Sequence, residues 1–165
     1  MRVMGIDPGV QKTGIGIIDA VEGNMTPVFF ETFHTKAKFS RYEKLCSIFR
    51  QITQVIDEFT PEALALENIF YGKNFKVAIR LGEARSAAIL AATLKNIPIC
   101  EYLPTRVKES VCGNGRAAKQ QVQYMVKGLL NIVELPEEDA ADALALAMCH
   151  IQSNQNKIRM QITDR

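Results

Sequence analysis

The chain opens on an apolar run, Val3-Met4-Gly5-Ile6, that stops at Asp7 and a turn-forming Pro8-Gly9. Residues 2–7 therefore read as a short strand. Thr13-Gly14-Ile15-Gly16-Ile17-Ile18-Asp19 reads as a second, and its glycines imply that another backbone or a ligand comes close. Glu22-Gly23-Asn24 is a turn. Residues 28–35, rich in aromatic and β-branched side chains, form a third strand. Three strands on short turns predict an antiparallel meander. The period then changes. Tyr42, Leu45, Ile48, Phe49, Ile52, Val55, Ile56 and Phe59 recur at helical spacing. Ser40 is placed to cap that helix, Glu43 stands at the capping-box position, and Pro61 follows its end. Residues 63–67 read as a fourth strand. A helix over about 75–94 carries Gly82, Ala84, Ala87, Ala88, Ala91 and Ala92, small residues that admit a close neighbour. Residues 97–102 are a fifth strand, with Pro98 at an edge or a strand start. Thr105 opens a short helix to Val111, Gly113-Asn114-Gly115 is a loop, and helices follow over 117–130 and 137–152.

Three leading antiparallel strands, followed by strands that alternate with helices, predict an α/β fold with a mixed five-stranded sheet. No internal repeat is present. Residues 1–152 are expected to form one domain, and the polar stretch 153–165 a disordered tail. A chain of 165 residues can bury a sizeable core. Cys46, Cys100, Cys112 and Cys149 have no CxxC spacing and read as buried or half-buried thiols of a reducing compartment. Cys149-His150 points two ways on a helix, which favours packing over metal ligation. The opening strand does not fit a signal peptide, and no apolar run approaches the ~20 residues of a membrane span. A cytoplasmic protein without membrane contact is expected.

Net charge is only +2, yet the charges are segregated. Five basic residues against one acid lie between Pro104 and Leu130, and four against one between Lys73 and Arg85. Five acids and no Lys or Arg lie between Asn131 and His150. Basic blocks around an acidic cluster suit a polyanion approaching bound cations. The bland alternative is that both blocks are solvated helix faces.

Four acids stand where an apolar context has little structural use for them: Asp7 and Glu67 at strand ends, and Asp139 and Asp142 in Asp-Ala-Ala-Asp-Ala. Singly, Asp7 could serve the turn, Glu67 could face solvent, and Asp139 could favour a helix dipole. Asp142, among Ala and Leu, is hardest to explain that way. Two carboxylates ~4 Å apart repel by roughly 4 kcal/mol at an effective dielectric near 20. A divalent ion turns that repulsion into binding. Asp139 and Asp142 share a helix face, so the four can converge from separate elements. Together they point to Mg²⁺, which prefers carboxylate and water oxygens and completes its shell with substrate phosphate. Paired metals ~3.5–4 Å apart hydrolyse phosphodiesters in this manner. Gly5-Ile6-Asp7-Pro8-Gly9 with Thr13-Gly14 also resembles the first phosphate loop of actin-like ATPases. Those need a second lobe, which 165 residues leave no room for.

Gly5-Ile6-Asp7-Pro8-Gly9, Ala65-Leu66-Glu67-Asn68-Ile69-Phe70 and Leu81-Gly82-Glu83-Ala84-Arg85 resemble the bacterial RuvC crossover-junction endodeoxyribonucleases. So do Val107-Lys108 with Gly113-Asn114-Gly115, Ala118-Lys119-Gln120-Gln121-Val122 and Asp139-Ala140-Ala141-Asp142-Ala143. The likeness runs in order from about residue 2 to residue 150. It implies a ribonuclease-H-like fold with helices on both faces of the sheet, a homodimer, and about two Mg²⁺ per site, with Mn²⁺ as a substitute. It implies paired symmetric nicks in four-way junction DNA, within recombination and repair, beside a branch-migration motor, RuvA with RuvB. By the same resemblance Asp7, Glu67, Asp139 and Asp142 are the metal-binding catalytic set, and Lys108 and Lys119 flank the scissile phosphate. The resemblance also matches Phe70 to an aromatic that touches bases near the crossover, and the helix over 75–94 to the dimer-forming region. Lys73, Asn74, Lys76, Arg80 and Arg116 are expected DNA contacts. Two alternatives stay open: a related ribonuclease-H-like nuclease that processes structured RNA, and a junction-binding protein without catalysis.

Overall fold

The structure, a computed structural model, describes residues 1–68 and 75–163, the last eight of these as helix backbone only. Strands β1 (Arg2–Asp7), β2 (Lys12–Val21), β3 (Asn24–His34), β4 (Ala63–Glu67) and β5 (Ile99–Tyr102) form one sheet in the order β3-β2-β1-β4-β5. β1, β2 and β3 pair antiparallel, as the meander predicts, while β4 and β5 extend the sheet in parallel. The β2–β3 turn uses Glu22 at φ 50° and Gly23 at φ 89°, the left-handed pair that a tight two-residue hairpin demands. Beyond Pro98, β5 is the far edge of the sheet.

Helix α1 (Arg41–Phe59) begins with the expected capping box: Ser40 Oγ accepts from the Glu43 N–H, and the Glu43 carboxylate accepts from the Ser40 N–H at 2.7 Å. With α2 (Phe75–Leu94) it covers one face of the sheet, where Met4, Ile6, Ile15, Ile17, Leu64 and Leu66 are buried. Helices α3 (Pro104–Cys112), α4 (Lys119–Leu129) and α5 (Glu138–Thr163) cover the other face, over Val3, Ile18 and Ala65. The fold is thus α/β, with helices on both faces of a mixed five-stranded sheet.

The two-residue period of a strand decides which face each side chain meets. Val3, Gly5 and Asp7 of β1 share the α5 face, as do Ala63, Ala65 and Glu67 of β4. The glycines there are a packing device. A Cβ on Gly5 would sit 1.9 Å from the Ala143 carbonyl oxygen, one on Gly14 1.9 Å from that of Asp139, and one on Gly16 2.7 Å from the Leu144 nitrogen. Helix α5 lies with its backbone directly on β1 and β2, held by buried Ala140, Ala141, Ala143, Leu144 and Ala147.

Two expectations are corrected. The tail expected to be disordered from residue 153 is helical: α5 runs unbroken to Thr163. Polarity misled there. The segment holds no Gly or Pro, and lengthening an existing helix costs little once it is nucleated. Cys46, expected to be buried or half-buried, is exposed on α1; Cys100 and Cys112 are half-buried, Cys149 is buried, and all four are free thiols. His150 is buried as a packing residue, with Tyr102 Oη 2.8 Å from Nδ1 and Asn154 Nδ2 2.9 Å from Nε2. Among the described residues no helix is long and apolar enough to cross a membrane.

The glycine contact is testable. Gly14→Ala should destabilise the protein by at least about 1–3 kcal/mol in urea unfolding, because backbone must move to admit the methyl group. Gly128→Ala in α4, where nothing lies within 4 Å, should be neutral or stabilising by up to about 1 kcal/mol.

Candidate active site

Sheet register brings the first two acids together. Ile6 pairs with Leu66 across the parallel β1–β4 ladder. Asp7 and Glu67 follow them at the carboxyl ends of adjacent strands, which run about 4.8 Å apart. Both line one cleft of about 270 Å³ with Pro8, Asn68, Arg85 and Pro104. The first two turns of α5 carry Asp139 and Asp142 over the same strand ends, since Gly14, the partner of Asp7 in the β1–β2 register, lies against the Asp139 carbonyl.

Electrostatics bind the four into one site. Burial raises the Asp7 carboxyl to about 7, with Asp142, Glu67 and Asp139 adding to the rise and Lys119 opposing it. Glu67 is raised by burial and by Asp142, against the pull of Lys108, Lys119 and Arg85. Asp142 is raised by burial, with Lys119 as the main opposing influence. The Lys119 ammonium donates to Glu138 at 2.6 Å and lies 3.6 Å from Asp142. Glu138, then Asp142 and Asp7, hold it above the usual lysine range. The acids face one another without closing on a point: among the described residues no three His, Cys, Asp or Glu side chains are grouped tightly enough to hold an ion as they stand. Like charges repel, and the Lys119 ammonium lies 3.6 Å from Asp142. The donor set is nevertheless four hard carboxylates with insufficient nearby cation, which fits a divalent ion of the Mg²⁺ type.

The expected residues divide as follows. Asp7, Glu67, Asp139, Asp142 and Lys119 share the site, and Lys108, half-buried on α3, acts on Glu67 from its rim. Lys76 and Arg80 lie exposed in the first turns of α2, and Arg116 is exposed in the loop before α4, where its N–H donates to Asn114 Oδ1 at 3.0 Å. Phe70, Lys73 and Asn74 fall outside the described residues. Two participants were not anticipated. Arg85, only 8 % exposed, donates to the Glu67 main-chain carbonyl at 2.6 Å and ion-pairs Glu101 at 2.6 Å. Its signal was available: an Arg three residues before Ala88 lies on the buried side of a helix. Glu138 anchors Lys119 from 19 residues away in sequence, and no spacing rule reveals that contact.

The family profile described as "Crossover junction endodeoxyribonuclease RuvC" matches residues 3–150. The chain belongs to the RuvC family. A RuvC of Hydrogenovibrio crunogenus is 45 % identical over 150 residues, 90 % of this chain and 86 % of that protein. One of Geotalea uraniireducens is 41 % identical over 165 residues, 100 % of this chain and 96 % of that one. Among solved structures, T. thermophilus RuvC in complex with a Holliday junction substrate superposes with a TM-score of 0.88 at 32 % identity, covering 95 % of this chain and 96 % of that one. The fold is therefore that of RuvC, and the enzyme class is crossover junction endodeoxyribonuclease.

The raised Asp7 carboxyl has a stability consequence with a definite sign. Between roughly pH 4 and pH 7 the folded protein keeps a proton that the unfolded chain releases, so stability falls as pH rises through that window. In metal-free buffer, Asp7→Asn should raise stability at pH 8 by on the order of 2–4 kcal/mol and leave it nearly unchanged below about pH 4. Thermal melts in EDTA across the pH range measure this, and a variant no more stable than wild type at pH 8 would contradict it.

Proposed function

We propose that the protein resolves four-way DNA junctions by hydrolysing a phosphodiester at the cleft bounded by Asp7, Glu67, Asp139 and Asp142. The observation that carries this reading is the single site these acids make, with the Asp7 carboxyl pushed up to about 7 by burial and by the three others. Membership of the RuvC family supports the substrate, as does the likeness to a RuvC bound to a Holliday junction.

On this reading the four carboxylates hold divalent cations, Mg²⁺ or Mn²⁺ and about two per site. When bound, those ions supply the positive charge that makes a water nucleophilic and steadies the departing 3′ oxygen. The remaining work belongs to the chain. Arg85 fixes the end of β4, and so Glu67, through its bond to the main-chain carbonyl. Lys119 balances Asp142 and is held at the cleft mouth by Glu138, where an ammonium can meet a phosphate oxygen. Lys108 on α3 adds a second cation that acts on Glu67. Lys76, Arg80 and Arg116 are exposed and suited to phosphate contacts that position DNA without reading its sequence. Phe70, Lys73 and Asn74 complete the proposed DNA contacts. Cytoplasmic residence and work beside RuvA and RuvB belong to the same reading.

A homodimer is the second element. Helix α2 is apolar on two sides. Its alanines pack inward, while Phe75, Val77, Ile79, Leu90 and Leu94 are each more than half exposed. A groove of about 720 Å³ between α1 and α2 is lined by Leu45, Phe49, Ile79, Ala87 and Leu90. A two-fold partner seated there would cover an apolar surface that a monomer leaves in water, and would pair two cleavage sites for two nicks.

Asp7→Asn should bind a synthetic four-way junction at least as tightly as wild type while cutting it at least about a thousandfold more slowly. Gel-shift and nicking assays read the two separately; retained cleavage removes Asp7 from the mechanism. Offering structured RNA beside the junction separates the RNA-processing alternative. Leu90→Asp should shift the protein towards monomer in sedimentation analysis and replace paired nicks with single ones; a variant that stays dimeric with paired nicking would place the interface elsewhere.

A further inference from the structure

Beside the cleft lies a second concavity, of about 580 Å³, between the turn joining β1 to β2 and the amino-terminal ends of α1 and α2. Four cations line it: Lys12 from the turn, Arg41 and Lys44 from α1, and Arg80 from α2. Arg41 is neutralised by the Glu83 carboxylate, which accepts from its Nε at 2.7 Å and from Nη2. Among the described residues no acid stands within ion-pair distance of Lys12, Lys44 or Arg80, and the nearest influence on Lys12 is the longer-range one of Glu138. Like charges gathered on one concave surface raise its potential and draw in a polyanion.

The turn that presents Lys12 is rigid. Thr13 Oγ1 donates to the Gly9 carbonyl at 2.9 Å, and Thr35 Oγ1 to that of Val10 at 2.8 Å. The Thr35 N–H reaches the Gln11 carbonyl at 3.0 Å. Gly9 is tight as well, since a Cβ there would meet the Lys12 carbonyl oxygen at 2.4 Å. The pocket also borders the cleft. Leu81 lines both, and Pro8 of the cleft adjoins Gly9 of the pocket. Lys12 acts electrostatically on Glu138, the acid that holds Lys119. Glu138 thus stands between Lys119 on one side and Lys12 on the other, and Lys12 shares its pocket with Lys44 and Arg80.

We propose that this pocket is a second phosphate-binding site, in which Lys12, Lys44 and Arg80 hold the DNA backbone where it leaves the catalytic cleft. It rests on the junction-nuclease reading and extends it. The ligand is a run of phosphodiesters rather than a lone anion. The cations come from three separate elements, Lys12 and Arg80 exposed and Lys44 half-buried, a spread that suits counterion displacement by a chain of phosphates more than capture of one small ion. Such contacts position DNA and carry no base preference.

The experiment measures fluorescence anisotropy of a labelled four-way junction in EDTA over a range of salt concentrations. Each lost phosphate contact should lower the slope of log affinity against log salt by about 0.9. The double variant Lys12→Ala with Lys44→Ala should therefore lose about 1.8 from that slope and bind roughly tenfold more weakly at the lowest salt. Lys44→Glu alone should weaken binding further than Lys44→Ala. Lys95→Ala removes a cation just past the opposite end of α2, where Lys95 pairs with Asp57, and should keep the wild-type slope. A double variant with wild-type slope and affinity overturns the second site while leaving the junction reading intact. So does an equal loss in Lys95→Ala, since net charge alone would then be responsible. Wild-type protein that neither binds nor nicks the junction overturns both.

Discussion

The contact of α5 with bare glycine backbone governs the geometry of everything at the carboxyl end of the sheet. A helix normally rests on strand side chains. Here Gly5, Gly14 and Gly16 present none, so the α5 backbone sits where methyl groups would otherwise be. Glycine in a strand costs roughly 0.5–1 kcal/mol relative to alanine. That cost is offset by the close packing of Ala140, Ala141, Ala143, Leu144 and Ala147, all essentially excluded from water. The sunken helix brings Asp139 and Asp142 down to the strand ends that carry Asp7 and Glu67. A Cβ at any of these three glycines would meet the α5 backbone and push the pair away from its partners.

The site so formed is electrostatically uncomfortable. Four carboxylates face Lys119, Lys108 and the half-committed Arg85, which also serves Glu101. Burial and mutual repulsion raise Asp7, Glu67 and Asp142 together. A protein selected only for stability would replace such a cluster with apolar side chains. Its presence is the mark of a site whose stability is sacrificed to function. The molecule limits the strain locally: Lys119 is anchored by Glu138, and Asp142 shares that ammonium.

Most of the fold was legible because the chain obeys its periods. Five strands, five helices, the Ser40 capping box and the close approach at the β2 glycines all follow from spacing. The acids were legible because each interrupts an apolar context. What escaped has physical reasons. The carboxyl-terminal half of α5 is polar, and composition weighed more than the ease of extending an existing helix. Spacing puts Arg85 on the buried side of α2, but what it holds there is visible only once the Glu67 carbonyl and Glu101 stand beside it. Glu138 reads as an ordinary first-turn acid until Lys119 arrives from another helix. Tertiary ion pairs leave no periodic trace.

Arg85 also shows why α2 cannot be treated as a separate surface element. Its alanines fix the helix to the sheet, its outward side carries the exposed apolar residues, and Arg85 reaches from it to the end of β4. The guanidinium bonds main chain rather than side chain, so it holds the strand end while leaving the Glu67 carboxylate uncommitted. Any shift of α2 along the sheet would strain a 2.6 Å bond on a buried cation, and leaving such a charge without its partners costs several kcal/mol. The surface suited to a second copy, the basic pocket that Arg80 lines and the cleft wall are thus three sides of one helix. Its position is set by the same buried charge that sets Glu67.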